Sequence, residues 1–134
     1  MKQLATAGLV VIQNRKLLLA FSRNKKAWYL PGGKIDVGET RHDALIREIK
    51  EELNIFIQKK ELTFYTHITA PAFGEHPEMM MEQDCFLYDF REIPKPSAEI
   101  EELKYFDGIS YQPEIQVPGV VLLMQKLKED GLID

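Results

Sequence analysis

An α/β fold, with a mixed sheet between helical layers, is what this sequence of 134 residues predicts. Three observations point there. Runs rich in small, β-branched and aromatic residues recur along the chain. Two other stretches, 40–53 and 118–127, carry helical spacing. The two helices stand at separated places in the order, one between early and late strands and one after the last. The length suits one compact domain over residues 1–134, and a 45% hydrophobic content is enough for a core.

Leu4 to Ile12 reads as a buried strand, Gln13-Asn14-Arg15 as a turn, and Lys16 to Ser22 as the returning arm of a hairpin. Ala27 to Leu30 is a short strand stopped by Pro31-Gly32-Gly33, because a residue before proline avoids helical backbone and glycines open unusual paths. Thr40 is a suitable N-cap, with Asp43 as a weaker capping-box partner. Leu45, Ile49 and Leu53 recur at i, i+4 and i+8 as an apolar stripe, and Asn54 suits a left-handed C-terminal stop. Glu61 to Phe73 and Met79 to Phe90 form a long hairpin across Pro71 to Pro77. Ile93-Pro94-Lys95-Pro96 is a rigid linker, and Leu103 to Phe106 a last strand. Pro118 starts the second helix, with Val121, Met124 and Leu127 turned inward and Lys128 at the edge of the outer face.

The net charge of −4, from 21 acidic and 17 basic residues, argues against a nucleic-acid polymer as partner. A phosphate substrate stays open, since cations can sit between acids and phosphates. Cys85 is the only cysteine, so no internal disulfide forms. Residues 1–12 read better as a first strand than as a signal peptide, and no apolar run approaches the roughly 20 residues that cross a bilayer. A cytoplasmic protein without a membrane partner is the expectation.

The stretch from Gly33 to Ile55 holds the chemistry. At roughly 100° per residue, Glu48, Glu51 and Glu52 fall within an arc of about 100° on one helix face, beside the Leu45–Ile49–Leu53 stripe. Such crowded carboxylates need counter-charge, and Mg²⁺ prefers oxygen ligands shared with phosphates. Arg47 stands four residues before Glu51 and also has the reach to return to Glu39. Gly33, Glu39, Arg47, Glu48, Ile49, Glu51, Glu52 and Ile55 stand at a spacing that chance matches on the order of once in a million such chains or less.

This spacing resembles the Nudix box, G-x5-E-x7-R-E-U-x-E-E-x-G-U with U a bulky aliphatic residue. One position departs: Asn54 stands where the box has glycine. The order of strands, the Pro31-Gly32-Gly33-Lys34 lead-in and the late helix are similar to the MutT-like, single-domain branch. The resemblance implies a Nudix-like α/β/α sandwich with a mixed central sheet. It implies that Glu48, Glu51 and Glu52, with the Gly32 carbonyl, hold Mg²⁺ or Mn²⁺, and that Arg47 and Glu39 form a supporting ion pair. It implies attack by water on phosphorus, breaking a diphosphate linkage. Glu48 and Glu99 are candidates for the general base, with Glu101 and Glu102 as close competitors of Glu99; these last three also fit an acidic solvated loop.

Arg23, where relatives often place a cation, is a candidate contact for substrate phosphate, against a plain surface role. Phe73, Trp28 and Tyr29 could stack on a base, although core packing suits Trp28 and Tyr29 better. The Met79-Met80-Met81 run reads as strand packing plus one exposed side chain. The expected activity is hydrolysis of a nucleoside triphosphate, or a related nucleoside diphosphate derivative, to the monophosphate and pyrophosphate. The alternatives are a dinucleoside polyphosphate or nucleotide-sugar hydrolase, or a non-catalytic nucleotide sensor. Val117-Pro118-Gly119-Val120 stands where guanine-specific relatives carry asparagine, which leaves the base open. Family habit leaves room for a homodimer.

Overall fold

The computed structural model describes residues 2–108 and 115–134. In chain order the elements are β1 (Lys2–Val10), β2 (Ile12–Gln13), β3 (Lys16–Ser22), β4 (Ala27–Tyr29), β5 (Gly32–Lys34), α1 (Arg41–Leu53), β6 (Thr63–Pro71), β7 (Met79–Leu87), β8 (Ile100–Phe106) and α2 (Pro118–Glu129). A 3-10 turn at Lys59–Glu61 precedes β6.

The strands form two sheets. The first has the order β5-β1-β7-β6 and is mixed. Its β1 runs parallel to β7 from Lys2 opposite Met79 to Val10 opposite Leu87, and antiparallel to β5 with Gly8 opposite Gly32. The second sheet is antiparallel around β3, which pairs with β8 along one edge and with β2 and then β4 along the other. The long hairpin of β6 and β7 is present as the sequence suggested. The first hairpin is much shorter than expected. Both edges of β1 are taken by β5 and β7, so only Ile12–Gln13 is left to pair with Lys16–Leu17.

Side chains alternate across these strands, so strands covered on both faces are apolar at successive positions. Ala7, Leu9, Leu18 and Phe86 pack with Leu45, Ile49 and Leu53 of α1. Val10, Leu17, Leu19 and Cys85 face the other way and pack with Val120, Leu123, Met124 and Leu127 of α2. The two helices therefore cover opposite sides, which gives the α/β/α layering. On α2 the inward set differs from expectation. Val121 is 39% exposed, and Val120 and Leu123 take its place. A spacing of three drifts by about 60° per step, whereas 120, 123, 124 and 127 follow the 3.6-residue turn. The three methionines at 79–81 are all half-buried, so none is the exposed member expected.

Helix α1 is fixed at both ends. Thr40 Oγ1 accepts from the Asp43 N–H at 3.1 Å. Asn54 stops the helix in the left-handed region at φ 58°, and its N–H donates to the Lys50 carbonyl. The carbonyls left open by the last turn find partners in the following linker: Lys95 N–H donates to Leu53 O and Ser97 N–H to Glu52 O, each at 2.9 Å. The Asn54 side-chain amide holds the same linker through Lys95 O and Ser97 Oγ, at 2.8 and 3.0 Å. The segment that closes α1 leads directly to Glu99. No helix among the described residues is long and apolar enough to cross a membrane.

Candidate functional site

A cleft of about 390 Å³ is lined by residues of both sheets and of α1. Its walls include Gly32 and Gly33 of β5, Gln83 of β7, Ala20 and Ser22 of β3, Tyr29 of β4, and Glu48 and Glu52 of α1. Glu99, just before β8, closes one side, and Lys25, Lys34 and Glu75 stand at the rim.

Helix geometry explains how deep each acid of α1 lies. Going round the helix, Glu52 is nearest the apolar stripe, Glu48 follows, and Glu51 is farthest. Burial follows that order: Glu52 is 5% exposed, the Glu48 side chain 18% and the Glu51 side chain 53%. Glu52 Oε1 accepts from the Gly32 N–H at 3.1 Å, which ties the helix to β5. Burial, reinforced by the charges of Glu48, Glu99 and Glu51, pushes the Glu52 carboxyl up to about 8, against the opposing Gly32 hydrogen bond. Burial also raises Glu48, with Arg47 pulling the other way.

Arg47 organises the approach to this edge. Its Nε and Nη2 donate to the two Glu39 oxygens at 2.8 and 2.9 Å, and its Nη1 donates to Glu48 Oε1 at 2.9 Å. Glu51 lies 3.7 Å from the same guanidinium. The hydrogen bonds from Arg47, then that from the Asp36 N–H, hold Glu39 at about 2. The same carboxylates raise Arg47 above its ordinary range. Two glycines make the close approach feasible. A Cβ at Gly33 would sit 2.6 Å from the Glu48 carboxyl carbon. A Cβ at Gly32, where φ is +136°, would sit 2.1 Å from the Ala7 carbonyl oxygen.

Opposite α1, Ser22 Oγ donates to Glu99 Oε2 at 3.0 Å. Glu48, Glu52 and Glu99 thus line one cleft, whereas Glu101 and Glu102 are exposed on β8 and are not among its lining residues. Arg23 also lies outside the lining, with its guanidinium directed to the Ala98 carbonyl at 3.4 Å. Phe73 is half-buried and stands edge-on to Tyr29, with ring centroids 6.3 Å apart. Trp28 packs in the core between Phe21 and Phe106, as expected. Tyr29 is partly buried against the same core, as expected, and also lines the cleft. Lys25 and Glu75 were not singled out from the sequence, and their only signal was a place in polar turns. Glu75 Oε2 accepts from Lys25 Nζ at 2.7 Å, and its Oε1 lies 3.8 Å from Lys34 Nζ.

The donor set suits a hard cation: carboxylate oxygens at a glycine-rich strand, one of them, on Glu52, buried among other acids with no ion pair among the described residues. Among the described residues no three acids, histidines or cysteines converge on one point, since Glu48 turns toward Arg47 and Glu51 toward solvent.

Fold and cleft together define a class, α/β/α sandwiches whose first helix lays an acid-rich edge against a Gly-Gly strand. The chain belongs to the NUDIX family: the model of the NUDIX domain matches residues 2–117. Over 52 residues, 38% of this chain and 29% of the relative, it is 40% identical to an RNA pyrophosphohydrolase of Ruthia magnifica subsp. Calyptogena magnifica. Over 60 residues, 43% of this chain and 36% of the relative, it is 38% identical to an ADP-ribose pyrophosphatase of Methanocaldococcus jannaschii. The matches span about a third of those relatives' lengths. The fold is similar to that of a MutT NUDIX hydrolase from Burkholderia pseudomallei, with a TM-score of 0.74 and 21% identity over 93% of this chain and 98% of that one.

Proposed function

We propose that this chain is a divalent-metal-dependent pyrophosphohydrolase acting on a nucleoside triphosphate or a related nucleoside diphosphate derivative. The observation that carries this reading is the meeting of Glu48, Glu52 and Glu99 with the Gly32-Gly33 backbone in one cleft rimmed by Lys25 and Lys34. Both relatives described above are named for pyrophosphate hydrolysis.

Glu52, Glu48 and Glu51, with the Gly32 carbonyl, are the proposed ligands of Mg²⁺ or Mn²⁺. When bound there, the ion supplies Lewis-acid polarisation of the phosphate chain and counter-charge for the acids. Glu39 and Arg47 form the supporting ion pair and keep Glu48 at the cleft edge. Glu99, held by Ser22, is the preferred group to take a proton from the attacking water, and Glu48 is the second candidate. Lys25 and Lys34 receive phosphate oxygens. Tyr29, which lines the cleft with Lys25 Nζ 5.9 Å from its ring centroid, is the proposed aromatic contact for the nucleoside. Arg23, on the outer rim, and Phe73, behind Tyr29, reach the nucleotide only as outer contacts.

The test is a panel of nucleoside triphosphates, dinucleoside polyphosphates and nucleotide sugars with Mg²⁺, resolving pyrophosphate from phosphate release. Monophosphate and pyrophosphate from a triphosphate is the expected pattern. Cleavage confined to nucleotide sugars would move the reading to the second substrate class, and binding without turnover would reduce the domain to a sensor.

A further inference from the structure

The rim of the cleft carries an arrangement that the metal edge does not explain. Among the lining residues described, Lys25 and Lys34 are the two cations, and they come from separate elements, the β3–β4 turn and the end of β5. A single carboxylate, Glu75, spans both, with one oxygen 2.7 Å from Lys25 Nζ and the other 3.8 Å from Lys34 Nζ. Glu75 belongs to neither sheet. It stands in the loop joining β6 to β7, where Gly74 at φ +79° lets the backbone pass close to the Lys25 side chain. That loop is also held by Tyr29, whose hydroxyl donates to the Phe73 carbonyl at 3.2 Å. Two oxygens of one anion bridging two ammonium groups at the mouth of a cleft is the contact that a phosphate group makes with a lysine pair.

We propose that Glu75 is a specificity-determining residue that occupies the place of a substrate phosphate, so that Lys25 and Lys34 engage only a polyphosphate able to displace it. The inference rests on the reading of this cleft as a polyphosphate site and adds a criterion for its substrates. A terminal phosphate carries up to two charges and three oxygens, so it competes well against one carboxylate. An internal phosphate, bridged through oxygen on both sides, carries one charge and competes poorly. The cleft thereby favours a chain with a free phosphate end over one capped by a sugar. The lysines, their charge partly offset by Glu75, are withheld from weak anions, and the apparent affinity falls by the fraction of the time that they are engaged. A structural role for Glu75 would give the opposite sign, since a carboxylate that merely positions the lysines would aid binding.

The experiment uses the full chain and inorganic tripolyphosphate as probe, with affinity measured by calorimetry in magnesium buffer. Glu75→Gln is expected to tighten binding by roughly 2–5-fold, the range that a partly exposed ion pair supports. Glu75→Asp is expected to stay nearer the wild type, and Lys25→Met introduced alongside Glu75→Gln to abolish the gain. With nucleotides, the Glu75→Gln gain is expected in KM rather than kcat, and the preference for a triphosphate over a nucleotide sugar is expected to shrink. Unchanged or weaker tripolyphosphate binding by Glu75→Gln, with a native circular dichroism spectrum, overturns the proposal. A tighter tripolyphosphate complex in a chain that cuts no nucleotide supports it, while disproving the hydrolase reading.

Discussion

Glu52→Gln tests the electrostatics of the cleft floor without requiring a substrate. The Glu52 carboxyl is pushed from an ordinary 4.5 to about 8 by burial and by neighbouring acids. Between those values the folded chain holds a proton that the unfolded chain has lost, so stability falls as pH rises across this window. A shift of that size makes the charged carboxylate cost up to about 4 kcal/mol at pH 8 and about 1 kcal/mol at pH 5. Glutamine keeps an oxygen to accept from the Gly32 N–H and removes the charge. In metal-free buffer with a chelator, the variant is expected to unfold at a higher temperature than the wild type at pH 8, by on the order of 10 °C, and the gap is expected to narrow strongly at pH 5. Added Mg²⁺ should raise the wild-type melting temperature, as a ligand of the folded state does, and leave the variant nearly unmoved. Turnover should fall by orders of magnitude. Differential scanning fluorimetry at the two pH values, with and without metal, reads all of this. A variant that is no more stable than the wild type at pH 8, or equally stabilised at both pH values, would refute the argument that the buried charge is uncompensated.

The glycine pair should separate two kinds of damage. Gly33→Ala meets a movable Glu48 carboxylate, so kcat/KM should drop on the order of 100-fold with a melting temperature within a few degrees of wild type. Gly32→Ala meets the Ala7 backbone at a positive φ, so it should lose several kcal/mol and fold poorly, as thermal melts would show. At the end of α1, Asn54→Ala should lose about 2 kcal/mol in urea titrations, because it gives up both the left-handed preference and the bonds to Lys95 and Ser97. Asn54→Gly keeps the turn and should lose less than about 1 kcal/mol.

What could be read from the sequence is what depends on neighbours along the chain. Thr40, the stripe of Leu45, Ile49 and Leu53, and the stop at Asn54 are local decisions, and the helix they define is the helix observed. The spacing from Gly33 to Glu52 was legible for the same reason, since helix periodicity alone puts the acids on one edge. Pairing between distant segments was not. Lys2 lies opposite Met79, and no pattern within 2–10 announces a parallel partner nearly eighty residues away. That pairing, by occupying β1, is also what shortened the expected first hairpin. The rim was hidden for a related cause: Lys25, Tyr29 and Glu75 sit in turns or on a short strand, and only the meeting of two hairpins brings them together. Val121 is exposed because a spacing of three follows the true stripe for one turn and then drifts away.

The cleft is made of two kinds of backbone. Its acids and glycines stand on or beside regular elements, anchored by buried leucines and by strand pairing, and they tolerate little displacement. Lys25 and Glu75 instead stand in connections, the β3–β4 turn and the β6–β7 loop, while Lys34 ends β5. Under the proposed function, the acid-bearing platform and the choice of substrate are therefore separately adjustable. Lengthening or exchanging the 72–78 connection would retune which compound is accepted while leaving the bond-breaking platform intact, a modularity that lets one architecture serve many metabolites.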